Sequence, residues 1–433
     1  MDHSHNDDHE DAIDLAGSPF AVLESDPGLF TELLHKLGVQ GLEVTEVYDI
    51  APWAIGHLHP RGLIFCYQCP EETPAEEDDF YDAPDPDAEA VWYAHQLTDD
   101  ACASQALLNV VLNCHDVELG PNLSTFLVDT RKMSPEMKGL SITNSTLIRD
   151  AHNSLARPAD VRGSYHAAAA KAEKHAKQKA SQAATNKRKP GKSAKRKKQQ
   201  KTNDKQDSYH FIGYVPCGGK VWELDGLRFS GPLDVGDVTV ETTWMDVVRP
   251  VLKTRMQNYL SKTENATDSI RYNLLAIVDD KFCKLSDDME MLKRERAAIE
   301  RRLRERHSEN WRSQVDQSVL QVATDSFTTS VHPSTNGSTF SKEFASQKME
   351  KELAILDMAA RSLASSWNTC VQSAMSVKIN IEEEVDKGKT AHTDNVNRTF
   401  DYEPFFRQFV TSMDEEGMLE PIVYPSKAKK AKR

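Results

Sequence analysis

The chain has 433 residues, 39% of them hydrophobic and 28% charged, which suits one sizeable domain plus an extension. No apolar run approaches the ~20 residues of a membrane span, and the acidic first ten residues lack the basic and apolar regions of a secretory signal. Seven scattered cysteines, an odd number, point to a reducing compartment rather than a disulfide framework, so the expected location is cytoplasm and nucleus. The net charge of −14 is uneven, because residues 171–205 hold fourteen Lys or Arg against only Glu173 and Asp204.

Residues 1–17 are polar and acidic and are expected to form a disordered tail. His3, His5 and His9 fit that composition better than they fit a metal site, and no metal or cofactor is expected. Over 19–50 the pattern predicts strand, helix, strand. Ser25 or Asp26 is a candidate N-cap, Pro27 opens the first turn, and Leu29, Phe30, Leu33, Leu34 and Leu37 fall at helical spacing before Gly38. Val44, Val47 and Tyr48 begin the next apolar segment, and residues 61–69 read as an apolar strand. Cys66 and Cys69 in that strand lack the second pair that a zinc site needs. Ten Asp or Glu and three Pro within 71–90 predict a solvated loop.

The chemistry concentrates in the middle of the chain. Cys102 opens an apolar run, Ala106, Leu107, Val110 and Val111, that predicts a buried helix. A helix N-terminus favours the thiolate and is expected to lower the thiol pKa. Gln96 lies six residues upstream, so its carboxamide and the Cys102 N–H can face one reacting oxygen as an oxyanion hole. His210 and Asp225 lie on two apolar segments joined by Pro216-Cys-Gly-Gly219, a hairpin pattern that brings a base and an orienting carboxylate together. Between the Cys102 helix and His210, 158–208 carries an Ala/Lys/Arg/Gln-rich stretch. Its block at 186–198 reads as an import signal, as a weak, salt-sensitive nucleic-acid contact over 171–205, or as a solvated insertion without a function of its own.

From 282 onward long helices are expected. Leu285, Met289, Leu292, Ile299 and Leu303 share one face, and nine Ser or Thr within 324–339 predict a flexible break. Met349, Leu353, Leu356, Ala360, Leu363, Trp367, Cys370, Ala374, Val377 and Ile381 follow at spacings of four and three, a seam for another helix. Phe405, Phe406, Phe409, Val410 and Met413 line a last helix that Gly417 ends, and the C-terminus is basic.

The stretches Trp92-Tyr-Ala-His-Gln96, Ala101-Cys-Ala-Ser-Gln105, Tyr209-His-Phe-Ile-Gly-Tyr-Val-Pro216 and Glu223-Leu-Asp-Gly226 resemble the ubiquitin C-terminal hydrolases, papain-like thiol deubiquitinases. So do Leu23-Glu-Ser-Asp-Pro-Gly-Leu-Phe-Thr31, Gly62-Leu-Ile-Phe65, Asn113-Cys-His-Asp-Val-Glu-Leu-Gly120, Ala151-His-Asn-Ser-Leu-Ala-Arg-Pro158 and Arg271-Tyr-Asn-Leu-Leu-Ala-Ile277. The resemblance covers roughly 18–281 and 379–424, and is closest to the long, proteasome- or chromatin-associated subgroup. It implies an α/β fold, a central antiparallel sheet flanked by helices, with an α-helical C-terminal extension. It also implies a Cys102–His210–Asp225 triad with Gln96 as oxyanion donor, and no cofactor.

The implied partners are ubiquitin, ubiquitinated proteins and an adaptor bound by the C-terminal helices, either a proteasomal ubiquitin receptor or a chromatin-complex subunit. The implied organisation is a tail at 1–17, a catalytic domain at 18–281 with a crossover loop at 158–208, a helical extension at 282–378, and an adaptor-binding domain with a basic tail at 379–433. Two residues depart from the family pattern: Asp100 stands where Asn is usual, and Ser104 where Thr is common. A carboxylate beside the thiol opposes its ionisation. A catalytically weak scaffold subunit is therefore the alternative reading.

Overall fold

The computed structural model describes residues 19–68, 85–98, 100–186, 209–261, 272–331 and 340–423. The expected tail, Cys69, the block at 187–198, most of the acidic loop and the basic C-terminus lie outside them.

Six strands form one antiparallel sheet in the order β1-β6-β2-β3-β4-β5. They are β1 (Leu42–Glu46), β2 (Gly62–Gln68), β3 (Tyr209–Cys217), β4 (Lys220–Asp225), β5 (Leu233–Asp237) and β6 (Tyr272–Asp279). Side chains alternate across it, so the inner strands bury both faces. Ile64, Cys66, Phe211, Val215, Trp222, Leu224, Leu275 and Ile277 enter one core. Leu63, Phe65, Ile212, Tyr214, Val221, Leu274, Ala276 and Val278 enter the other. Tyr48, expected in the first apolar segment, lies past the end of β1 and is exposed.

The first face is covered by α1 (Pro27–Leu37), the short α2 (Pro52–Ile55) lies in the β1–β2 connection, and α3 (Cys102–Val111) joins α1 on that first face. Asp26, not Ser25, caps α1 by accepting from Leu29 N–H at 2.8 Å, and Gly38 closes it at φ 97°. Next come α4 (Gly120–Thr130), α5 (Pro135–Asn144), α6 (Thr146–Asn153) and α7 (Pro158–Asn186). The second face is covered by α8 (Trp244–Ser261) through Met245, Val248 and Leu252.

Residues expected to form a crossover loop are therefore helical up to Asn186. Alanines 167–170 and 172, with Lys and Glu between, are the strongest helix formers, and Lys177 pairs with Glu173 at 2.6 Å one turn away. Propensity decides the conformation here.

The extension builds a second core. It comprises α9 (Lys281–His307), α10 (Gln317–Val322), α11 (Phe344–Asp357), α12 (Leu363–Thr399), α13 (Glu403–Glu415) and α14 (Leu419–Val423). The expected α9 stripe packs against Leu363, Trp367, Cys370, Val371, Ala374 and Ile381 of α12, and Trp311 meets Trp367 edge-on. Two expectations need detail. Of the Ser/Thr-rich stretch only 324–331 is among the described residues, and there Ser326 and Phe327 are buried in a 3-10 turn, the aromatic ring filling the α9–α12 core; 332–339 lie outside the described residues. The long seam is also interrupted. The chain turns extended at Met358, so the helical phase does not carry across. Met349, Leu353 and Leu356 face outward while Phe344 and Ile355 are buried.

One contact sets how closely α3 approaches the sheet. A Cβ at Gly62 would fall 2.2 Å from Val110 Cγ1, and one at Gly213 would fall 2.7 Å from Val110 Cγ2. The Val110 isopropyl group thus occupies the space of two missing side chains. Gly213→Ala is expected to lower stability by about 1–3 kcal/mol through overpacking. Urea unfolding checks this. Combining it with Val110→Ala should recover part of the loss, whereas simple additivity of the two losses would contradict the contact.

Candidate active site

Cys102 is the first residue of α3, half-buried, with its thiol 4.0 Å from the Tyr209 carbonyl at the start of β3. Asp100 takes the left-handed conformation at φ 62°, which an Asp tolerates and which turns the chain into the helix. The expected lowering of the thiol pKa is not what this geometry gives. Burial, then Cys66, then the Asp100 carboxylate push the Cys102 thiol up to about 12, and the backbone N–H groups of Ala103 and Cys102 oppose them only in part. The helix N-terminus acts in the anticipated direction and is outweighed by desolvation.

The hairpin assembles as its sequence suggests. Gly218 and Gly219, at φ 61° and 82°, make the two-residue turn, and the β3–β4 register sets Ile212 against Asp225. His210 Nε2 then lies 2.6 Å from Asp225 Oδ1. The imidazole is 3% exposed and meets the Tyr67 ring edge-on at 5.7 Å. Burial works to raise the Asp225 pKa. The hydrogen bond and charge of His210, the Leu227 N–H and the Arg255 guanidinium outweigh it and hold the carboxyl below its ordinary value. The Tyr93 hydroxyl donates to the Asp225 carbonyl at 2.6 Å and fixes the turn after β4. With Nε2 held by the carboxylate, Nδ1 is the nitrogen left for a thiol. His210 is thus hydrogen-bonded to Asp225, and among the described residues no hydrogen bond joins Cys102 Sγ to His210.

Gln96 sits at the end of an extended segment that has no strand partner. Its backbone is satisfied instead by side-chain amides of α3 and the residues just after it. Asn113 accepts from Trp92 N–H and donates to Trp92 C=O, both at 2.7 Å. Asn109 accepts from Ala94 N–H at 3.0 Å, and Gln105 donates to the Ala94 carbonyl. All three side chains are buried, and pairing them to backbone offsets their desolvation. The Gln96 N–H donates to the Gly226 carbonyl at 2.8 Å, next to Asp225, and its side-chain Nε2 donates to the Thr98 carbonyl at 3.3 Å. The ladder thus fixes Gln96 relative to the helix that carries Cys102.

Three features escaped the sequence reading. One is this ladder, legible in hindsight as Gln105, Asn109 and Asn113 at four-residue spacing in an otherwise apolar run. Another is Glu223, 1% exposed on β4, which accepts from the Tyr214 hydroxyl at 3.0 Å and pairs with the Arg255 guanidinium beneath the β3–β4 hairpin. Its signal was a carboxylate inside an apolar strand. The third is His152, whose Nε2–H donates to the Ala21 carbonyl, leaving Nδ1 to accept from Ser104 at 2.7 Å. Burial pushes the His152 pKa down to about 4, with the Ala21 carbonyl opposing, so this neutral ring anchors the Ser104 hydroxyl on α3. Among the described residues no group of three or more His, Cys, Asp or Glu is arranged to hold a metal ion, and no helix is long and apolar enough to cross a membrane.

The raised thiol pKa has a direct consequence for reactivity. A thiol protonated through neutral pH gains thiolate as pH rises. Alkylation of Cys102 by iodoacetamide should therefore climb about tenfold per unit from about pH 7 to about pH 10, past the ~8.5 of an ordinary thiol. Peptide mass spectrometry reads this out. Asp100→Asn removes one of the groups holding the pKa up and should shift the profile toward lower pH. A wild-type plateau below pH 8 would contradict the assignment.

Comparison with known proteins places the chain in a family. The family model "Ubiquitin carboxyl-terminal hydrolase, family 1" matches residues 20–257, and a second, "Ubiquitin carboxyl-terminal hydrolases", matches 374–419. The chain is 34% identical over 283 residues to ubiquitin carboxyl-terminal hydrolase BAP1 of Xenopus tropicalis, covering 64% of this chain but only 36% of that relative's length. It is 32% identical over 290 residues to ubiquitin carboxyl-terminal hydrolase isozyme L5 of Dictyostelium discoideum, covering 67% of this chain and 70% of the relative. A solved structure of Trichinella spiralis UCH37 bound to ubiquitin vinyl methyl ester matches with a TM-score of 0.44 and 29% identity, covering 63% of this chain and 87% of that one. The fold is the α/β, papain-like fold of these hydrolases, a central antiparallel sheet flanked by helices with a helical C-terminal extension. With one family model matched over more than half of its length, the chain belongs to the ubiquitin carboxyl-terminal hydrolases of family 1.

Proposed function

We propose that this chain is a thiol deubiquitinase that hydrolyses the bond after the C-terminal glycine of ubiquitin. The observation that carries the reading is the His210–Asp225 pair at 2.6 Å through Nε2, with His210 on the strand whose Tyr209 carbonyl contacts the Cys102 thiol. Cys102 is the nucleophile, His210 the general base and acid, Asp225 the group that orients the imidazole, and Gln96 with the Cys102 N–H the oxyanion donors.

Since no hydrogen bond among the described residues joins the thiol to the imidazole, their approach is assigned to substrate. Catalytic hydrogen bonds often tighten only in the complex. Bound ubiquitin brings Nδ1 to the thiol, the proton passes to His210, and the resulting thiolate–imidazolium pair replaces a buried neutral thiol. The thiolate adds to the carbonyl, the oxyanion is held by Gln96 and the helix N–H, and His210 protonates the departing amine. Water deprotonated by His210 then releases ubiquitin from the thioester. A Gly-Gly terminus suits a narrow approach, because residues without Cβ pass where others are blocked.

Further partners belong to this proposal. The exposed Phe405, Phe406, Phe409 and Val410 of α13 suit an adaptor, of either the proteasomal or the chromatin-complex type. The exposed Lys171, Lys174 and Lys177 of α7 suit a salt-dependent contact with nucleic acid within 171–205. Action in both cytoplasm and nucleus accords with the basic block at 186–198.

Labelling with ubiquitin bearing a C-terminal electrophile tests the central claim. Wild type should form a covalent adduct and Cys102→Ala none. His210→Gln should cut hydrolysis of a ubiquitin C-terminal amide by about 10²–10⁴-fold. Ubiquitin binding without adduct in the wild-type chain, with or without an α13 partner, would favour the scaffold reading instead.

A further inference from the structure

The extended segment ending in Gln96 is gripped on one side by the α3 amide ladder. On its other side stands α5, which the catalytic reading leaves without a task. Pro135 at the start of α5 accepts from the His95 N–H at 3.0 Å. One turn on, a Cβ at Gly139 would fall 2.1 Å from the His95 carbonyl oxygen and 3.2 Å from Leu97 Cγ, so here the helix presents bare backbone to the segment. A further turn on, the Thr143 hydroxyl donates to the Gly139 carbonyl at 3.0 Å and lies 2.8 Å from the Thr98 hydroxyl. Glu136 of the first turn sits 3.5 Å from His95 Nε2. The helix thus touches His95, Leu97 and Thr98, the residues flanking Gln96.

That arrangement bears on where the Gln96 carboxamide points. Its Nε2 carries two hydrogens, and one is donated to the Thr98 carbonyl. The direction of the other follows from where Thr98 and the His95–Gln96 peptide are held. Thr98 is held through Thr143, and the peptide through its fit over Gly139 and the Gln96 N–H bond to Gly226. We infer that α5 is a positioning element for the oxyanion donor, with Gly139 and Thr143 setting the aim of Gln96. The inference rests on the reading of Gln96 as that donor. Any side chain at 139 must displace the His95 carbonyl, a backbone atom with no rotamer to escape into, and the displacement reaches Gln96 across one peptide bond. Thr143 acts more gently, through one hydroxyl.

The test uses the full chain and two readouts. Hydrolysis of a ubiquitin C-terminal amide passes through an oxyanion. Alkylation of Cys102 by iodoacetamide is a displacement at carbon and forms none. Gly139→Ala is expected to lower kcat about 100-fold, the scale of a ~1 Å misplacement, while KM and the alkylation rate stay within about twofold of wild type. Thr143→Val should lower kcat about tenfold and Thr143→Ser should restore it, because serine keeps the hydroxyl that holds Thr98. Wild-type kcat in both Gly139→Ala and Thr143→Val, alongside a slowed Gln96→Ala, would overturn the inference and leave the function intact. Wild-type kcat in Gln96→Ala would overturn the donor assignment and the inference together. Alkylation falling in step with kcat would also overturn it, since that pattern marks general damage to the fold.

Discussion

The site depends on how closely α3 lies against the sheet. Val110 fits into the space left by Gly62 and Gly213, so the helix packs on strand backbone instead of on side chains. That distance fixes everything α3 carries. Its first residue brings Cys102 to the start of β3, and Gln105 and Asn109, with Asn113 just beyond, reach the extended segment and hold Gln96. Interiors packed at crystal-like density transmit such a constraint without slack. A helix standing further off would leave the thiol and the Gln96 segment unregistered with the His210–Asp225 hairpin.

The same close packing sets the resting chemistry. Burying Cys102 beside Cys66 and Asp100 keeps its proton on, while the His210–Asp225 pair is complete without it. A thiol held protonated in this way reacts slowly with small electrophiles at neutral pH. The unusual Asp100 is compatible with this division. At φ 62° it shapes the entry to α3, and its charge adds to a barrier that burial already dominates.

The helical extension is tied to the catalytic body by charge at several points. Arg398 lies near Glu24 and Asp26, and Arg162 of α7 reaches Asp401 and Glu403 at the start of α13. These pairs are mostly exposed, and each contributes little alone. The apolar α9–α12 interface gives the extension a core of its own, to which the edge-on contact of Trp311 with Trp367 adds.

Much of this was written in the sequence. Caps and helical spacing gave α1, and the glycine pair gave the β3–β4 turn that sets His210 beside Asp225, because local backbone chemistry and short-range periodicity act within a few residues of themselves. The sequence also carried the alanine-rich composition of α7, although its position between site residues suggested a loop. Three matters were decided only by tertiary structure. The thiol pKa follows from burial against β2 and β3, which no nearest-neighbour pattern contains. The phase of α11 follows from a break at Met358, where packing overrides a heptad-like spacing. The setting of Gln96 follows from α3 on one side and the bare backbone of α5 at Gly139 on the other, contacts between segments remote in the chain whose energies depend on distances that sequence alone does not hold.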